Sequence, residues 1–153
     1  MEGSVESPVA QADRLGRRRI RLFFVVGIIL ITQQASFDRL LEHGSPLRAV
    51  DIALLGAWIV LVTAALAALM TGGMYFQSRE VRALMNDELS KANRSRALAG
   101  GFVITILTAV VVFVVSFFSE VSGTEALHAV VTVGLAGALL RFAMLERKAD
   151  LDG

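Results

Sequence analysis

Four long apolar segments occupy most of this 153-residue chain, at roughly 22–37, 52–77, 97–119 and 126–145. The second and third segments contain no charged residue. A helix needs about 20 apolar residues to cross the hydrocarbon core of a bilayer, and a water-soluble domain of this size does not need so many. The pattern therefore predicts an all-α, polytopic membrane protein whose four transmembrane helices form an antiparallel bundle.

Polar and turn-forming residues set the predicted limits of these helices. Residues 1–13 have no apolar periodicity and are predicted to be a disordered tail. The membrane domain follows over 14–148, and 149–153 form a C-terminal tail. We expect helix two to continue beyond the membrane to about Leu84, and helix three to start near Asp87, a good N-cap. The predicted helices span about 19–37, 48–84, 87–119 and 124–147.

The positive charges lie on one side of the predicted membrane. Thirteen of the fifteen Lys and Arg residues fall before helix one, between helices two and three, or near the end of helix four, which leaves Arg39 and Arg48 for the other side. Lys and Arg in short loops stay in the cytoplasm, so both termini are predicted to be cytoplasmic. The first segment also fits a signal peptide by its basic front and short apolar run, but no good cleavage site follows it.

Residue usage adds a prediction about the membrane itself. Arginine outnumbers lysine 13 to 2, and Ala, Val and Gly are abundant. This usage is typical of GC-rich bacterial genomes, so the predicted location is a bacterial inner membrane. There is no cysteine, which excludes disulfides, thiolate metal sites and a cysteine nucleophile.

Small residues recur every four positions on helix three. Lipid is as apolar as leucine, so membrane helices associate through close backbone contact at small residues. We predict that this ridge faces another helix, in the same chain or in a second one. The ridge consists of Ala97, Gly101, Thr105 and Ala109.

Five polar residues fall at the outer ends of the predicted helices. Two interpretations stay open for them: a shallow polar pocket inside the bundle, or contact with interfacial water, where two of them are acids favoured by a helix N-terminus. His128 is the member of a residue type suited to proton exchange near neutral pH. The candidate outer-leaflet cluster is Gln33, Gln34, Asp51, Glu125 and His128.

Basic residues near the end of helix four have two interpretations. Arg141 either extends toward the interface or binds an anionic lipid head group together with Arg147 and Lys148. The arginines before helix one are interpreted as a topology anchor, and no nucleic-acid partner is predicted. One membrane histidine cannot provide both axial ligands of a haem, and no phosphate-loop, metal or catalytic-triad motif is present, so we predict no cofactor, metal or catalytic residue.

The stretch Leu84-Met85-Asn86-Asp87-Glu88-Leu89, followed by residues 97–102 and the third helix, resembles small bacterial inner-membrane proteins with four helices. The resemblance covers the second half of the chain and implies no activity. The microsomal glutathione-transferase type has a similar size, but its characteristic helix-two motif has no match here.

Three functions are compatible with these features. The main prediction is a non-enzymatic accessory or scaffold subunit of a larger inner-membrane assembly. The alternatives are a small transporter or channel formed by oligomerisation, and a small membrane enzyme or lipophilic-ligand binder. The predicted partners are the lipid bilayer and further chains, in a homo- or hetero-oligomer that packs through small-residue helix faces.

Overall fold

The computed structural model describes residues 7–40, 49–73 and 88–152. Three of the helices in these ranges are long and apolar enough to cross a membrane: α2, α3 and the part of α4 from Gly123–Ala149. The predicted all-α fold with several membrane-length helices is confirmed to that extent. The helices are α1 (Pro8–Leu40), α2 (Ala49–Thr71), α3 (Glu88–Val115) and α4 (Gly123–Asp152).

Helix α1 begins eleven residues before the predicted start, inside the segment that was expected to be a disordered tail. Ser7 acts as its N-cap: the backbone N–H of Ala10 donates to Ser7 Oγ at 3.3 Å, and that of Gln11 donates to the Ser7 carbonyl at 3.0 Å. Pro8 occupies the first helical position, where its missing N–H costs nothing. Capping therefore extends the helix well beyond its apolar part, while residues 1–6 lie outside the described residues.

Helix α2 ends earlier than predicted. It stops at Thr71, and both Gly72 and Gly73 have φ of 70°, the left-handed conformation that ends helices at glycine. The apolar run continues beyond this point, which is why the sequence predicted a longer helix. The rest of the expected extension to Leu84, and the expected N-cap at Asp87, lie outside the described residues.

The link between α3 and α4 is built from short local hydrogen bonds. The N–H of Phe118 donates to the Val115 carbonyl at 2.9 Å, a three-residue spacing that closes α3 four residues before the predicted end. Helix α4 then starts with a capping box. The Glu125 N–H donates to Ser122 Oγ at 3.1 Å, and the Ser122 N–H donates to Glu125 Oε2 at 2.9 Å.

Helix α4 is the centre of the bundle. It packs along α3 on one side and along α1 on the other, and it makes fewer contacts with α2. The largest fully buried apolar side chains are Leu30 of α1, Leu69 of α2, and Leu139 and Phe142 of α4. The core therefore follows α4, and the other helices are positioned by it.

Consecutive helices run in opposite directions. Hydrogen bonds join Arg19 in the first half of α1, Gly72 after α2, Ser90 at the start of α3 and Glu146 near the end of α4. We call this the Glu146 end of the bundle, and the opposite one the His128 end. Elsewhere large apolar side chains point outward, with Val60 68% and Phe102 67% exposed, a surface suited to contact with lipid or another chain.

Candidate functional site

A buried ion pair connects all four helical segments at the Glu146 end. The Arg19 guanidinium donates to the Glu146 carboxylate, to Ser90 Oγ at 3.2 Å and to the Gly72 carbonyl at 3.4 Å. The Asn93 side-chain amide donates to Glu146 Oε1 at 3.1 Å. We call these five residues the Arg19–Glu146 network. Helices α1, α3 and α4 each contribute at least one side chain to this network. The contribution next to α2 is the backbone carbonyl of Gly72, directly after the end of that helix.

The network is shielded from solvent. The side chains of Arg19 and Glu146 are 9% and 10% exposed. The guanidinium carbon of Arg19 lies 5.3 Å from the centre of the Phe142 ring, which in turn contacts Phe23 edge-on at 5.2 Å. Removing two charges from water costs free energy that close pairing mostly offsets, so such a pair specifies the arrangement of the helices more than it adds stability.

The geometry of the network favours a structural role over a chemical one. Both carboxylate oxygens of Glu146 already accept hydrogen bonds, Oε2 from Arg19 and Ser90 and Oε1 from Asn93. A carboxylate that acts as a general base needs an oxygen directed at a substrate. The network therefore fixes the ends of the helices relative to one another.

A second polar contact joins α2 to α4 at the His128 end. The Trp58 indole N–H donates to Thr132 Oγ1 at 3.1 Å, and its ring lies 4.7 Å from the imidazole of His128, centre to centre. His128 is 3% exposed and Thr132 is fully buried. Trp58, Ala65 and Leu69 follow one another at helical spacing, so this contact and the buried residues lie on one face of α2.

The structure distributes the predicted outer-leaflet cluster over several places. Gln34 and Glu125 line one cleft of about 320 Å³ between α1, α3 and α4. His128 instead faces Trp58 of α2, and Asp51 is half-buried in the first turn of α2. Gln33 is half-buried near the end of α1. A single pocket shared by all five side chains stays a prediction.

The two glutamines have a feature that the sequence did not indicate. The side-chain carbonyl oxygens of Gln33 and Gln34 are buried, and neither accepts a hydrogen bond from the residues that the structure describes. A buried amide oxygen without a donor is costly. These two atoms are therefore suited to a donor supplied from outside the described part of the chain.

The small-residue ridge of α3 lies against α4. Ala97 and Gly101 are buried, and Thr105 and Ala109 are half-buried. A Cβ added at Gly101 would lie 2.5 Å from the Ala138 Cβ and 3.2 Å from the Gly134 carbonyl oxygen. The Thr105 hydroxyl donates within its own helix to the Gly101 carbonyl at 2.8 Å, so it is satisfied while it packs.

The predicted head-group residues do not form one patch. Arg147 lines a groove between α1 and α4, whereas the Arg141 side chain lies directly over Gly100 of α3. Lys148 is exposed beside Arg147 in sequence but is not among the residues that line the groove. Arg147 shares its groove with arginines of α1, a grouping that spacing within α4 could not predict.

Sequence reasoning missed the network and interpreted Arg19 as one of several topology anchors. A usable signal was present on α3. Ser90 and Asn93 precede Ala97 by seven and four residues, so they continue the buried small-residue face as polar groups. Polar residues that extend a packed face need buried partners, which pointed to a polar contact at this end.

Comparisons of the chain with known protein families, with curated proteins and with solved structures find no match. The resemblance to small four-helix bacterial membrane proteins accordingly stays a prediction. Within the described ranges, no group of three or more His, Asp or Glu side chains is placed to hold a metal ion.

Proposed function

We propose that the chain is a non-enzymatic integral protein of a bacterial inner membrane and an accessory or scaffold subunit of a larger assembly. The observation that carries this proposal is the surface of α2. This helix is apolar enough to cross a membrane, yet within it Ala65 and Leu69 are the buried residues. Most of its surface is therefore left for lipid or for another chain.

The exposed face of α2 has the composition of a helix-packing surface. Ala53, Gly56 and Ala57 are all exposed, and a Cβ added at Gly56 would meet nothing within 4 Å. Small residues let two helix backbones approach closely in a membrane. The corresponding small residues of α3 and α4 are already used against each other. A helix of a partner subunit would use those of α2 in the same way.

The proposed topology has four transmembrane helices with both termini in the cytoplasm. From Arg19 to its end at Leu40, α1 is about 30 Å long, enough for the hydrocarbon core. It lies beside α4 from the Arg19–Glu146 pair to the cleft that Gln34 shares with Glu125. The excess of Lys and Arg flanking the Glu146 end supports a cytoplasmic location for that end.

Reporter fusions test this topology directly. A reporter active in the cytoplasm should be active at the C-terminus and inactive when inserted in the link at residues 120–122. A periplasmic reporter should give the reverse pattern. Thirteen of the fifteen Lys and Arg residues lie on the same side of the proposed membrane as the C-terminus, and such an excess favours the cytoplasmic side. Cytoplasmic activity of the 120–122 insertion would contradict the proposed orientation of all the helices.

Native mass spectrometry of the protein extracted from its own membrane tests the accessory function. The expected result is a hetero-complex that contains this chain together with other membrane subunits. Ala57→Leu should release the chain from the complex, because a bulky side chain separates the two backbones. Ala99→Leu is the matched control, since Ala99 is an exposed alanine on α3. A chain that is recovered alone with lipid would contradict the proposal.

A transporter or channel formed by oligomerisation is the second candidate. It is favoured by the buried carbonyl oxygens of Gln33 and Gln34, of which Gln34 lines the cleft at the His128 end. In an oligomer, the amide groups of neighbouring copies would hydrogen-bond to one another or line the transport path. The same mass spectrum decides between the two, because a homo-oligomer without other subunits supports this candidate and removes the first.

A further inference from the structure

A groove between α1 and α4 combines charge and apolar surface at the Glu146 end. Its volume is about 440 Å³. The residues that line it are Arg17, Ile20, Arg21, Phe24 and Val25 of α1 and Ala143, Met144 and Arg147 of α4. It lies on a different face of α1 from the Arg19–Glu146 network, since Arg19 points to the interior while Arg17 and Arg21 are exposed. The groove is therefore separate from the site described above.

Three arginines stand at the mouth of the groove. Arg17 and Arg21 are four residues apart on α1 and share one helix face, and Arg147 approaches from α4. Among the residues whose side chains the structure describes, those that line the groove include no Asp or Glu. The carboxylate of Glu146, the residue before Arg147, is engaged with Arg19. The mouth therefore carries three positive charges, and no described residue of the groove lining supplies a counterion.

Along the helices, away from the three arginines and toward the middle of the bundle, the groove is lined by apolar side chains. Phe24 and Val25 lie one turn beyond Arg21 on α1, and Met144 lies one turn before Arg147 on the antiparallel α4. All three side chains are exposed, while Ala143 forms a buried floor between the helices. The groove thus passes from cationic to apolar along the direction in which a membrane passes from head groups to acyl chains.

We propose that this groove binds an anionic phospholipid, with its phosphate held by Arg17, Arg21 and Arg147. The acyl chains lie along Phe24, Val25 and Met144. Guanidinium groups bind phosphate oxygens in bidentate geometry, and basic pockets between membrane helices on the cytoplasmic side suit anionic head groups. The inference rests on the membrane placement proposed above, but it does not require a partner subunit.

Lipid titration of the full-length chain in detergent, followed by native mass spectrometry, tests the proposal. The probes are dioleoyl phosphatidylglycerol and dioleoyl phosphatidylcholine, which differ in head-group charge and share their acyl chains. The wild-type chain should bind phosphatidylglycerol more tightly. The triple variant Arg17→Gln, Arg21→Gln, Arg147→Gln should lose on the order of 100-fold in affinity for it, because each arginine near the head group contributes comparably.

A matched triple variant separates a site from general charge. Arg18→Gln, Lys91→Gln, Arg96→Gln removes three exposed charges at the same end, none of which lines the groove, and should change the affinity by no more than a few-fold. Equal losses in the two variants, or equal affinity of the wild type for both lipids, would overturn the proposal. The wild-type comparison decides even if a variant does not fold. Because the chain is measured alone, failure here leaves the accessory function standing, and loss of a hetero-complex leaves this site standing.

Discussion

Replacing Glu146 by alanine should destabilise the bundle by about 3–5 kcal/mol, because it leaves the buried guanidinium of Arg19 without its counterion. The Asn93 amide also loses its acceptor. The free energy of unfolding, measured in detergent or lipid discs, gives the size of the effect. Hydrogen exchange should rise around Gly72 and Ser90, since these segments are held at the Glu146 end by the network.

Two further variants show whether the charge itself is responsible. Glu120→Ala removes an exposed carboxylate and should change stability little. In the double variant Arg19→Met, Glu146→Leu, both charges are gone, and a large part of the lost stability should return, because an apolar pair of similar volume avoids the desolvation cost. If the double variant loses as much stability as Arg19→Met alone and Glu146→Leu alone lose together, the ion pair is not what orders this end.

The apolar segments predicted the helices well because length and composition decide whether a segment is helical in a membrane. The ends were harder to predict, since they depend on local atoms. Gly72 and Gly73 lie inside an apolar run whose composition favours continuation, and their left-handed conformation stops α2. Ser7 and Pro8 start α1 within a polar segment that has no apolar periodicity.

The sequence indicated a polar contact at this end of the bundle, but the pairing of Arg19 with Glu146 could not be predicted from one sequence. Arg18 and Arg19 are neighbours with the same side chain, and nothing local distinguishes the exposed one from the buried one. The difference arises from Glu146, which is 127 residues away and meets Arg19 once α1 packs on α4. The helical face of α4 does carry a hint, because Glu146 continues the buried series Leu139 and Phe142 at spacings of three and four.

The contact between α3 and α4 should be the packing interface most sensitive to added volume. Gly101→Ala is expected to cost about 1–3 kcal/mol, because the new Cβ would lie 2.5 Å from the Ala138 Cβ and 3.2 Å from its Cα. Neither atom can move away by a side-chain rotation, so a helix must shift. Gly101→Leu should separate α3 from α4 and lower the unfolding midpoint much further.

The same substitution at Gly56 separates steric conflict from helix propensity. Gly56 is an exposed helical glycine with nothing within 4 Å of an added Cβ, so Gly56→Ala should be neutral or stabilise the isolated chain by up to about 1 kcal/mol. Both substitutions gain the same helix propensity, so the difference in stability between them reports the steric conflict at Gly101. If Gly101→Ala proves as well tolerated as Gly56→Ala in the purified chain, the backbones of α3 and α4 do not approach as closely as the ridge requires. The bundle would then be held by its ion pair and its larger apolar side chains.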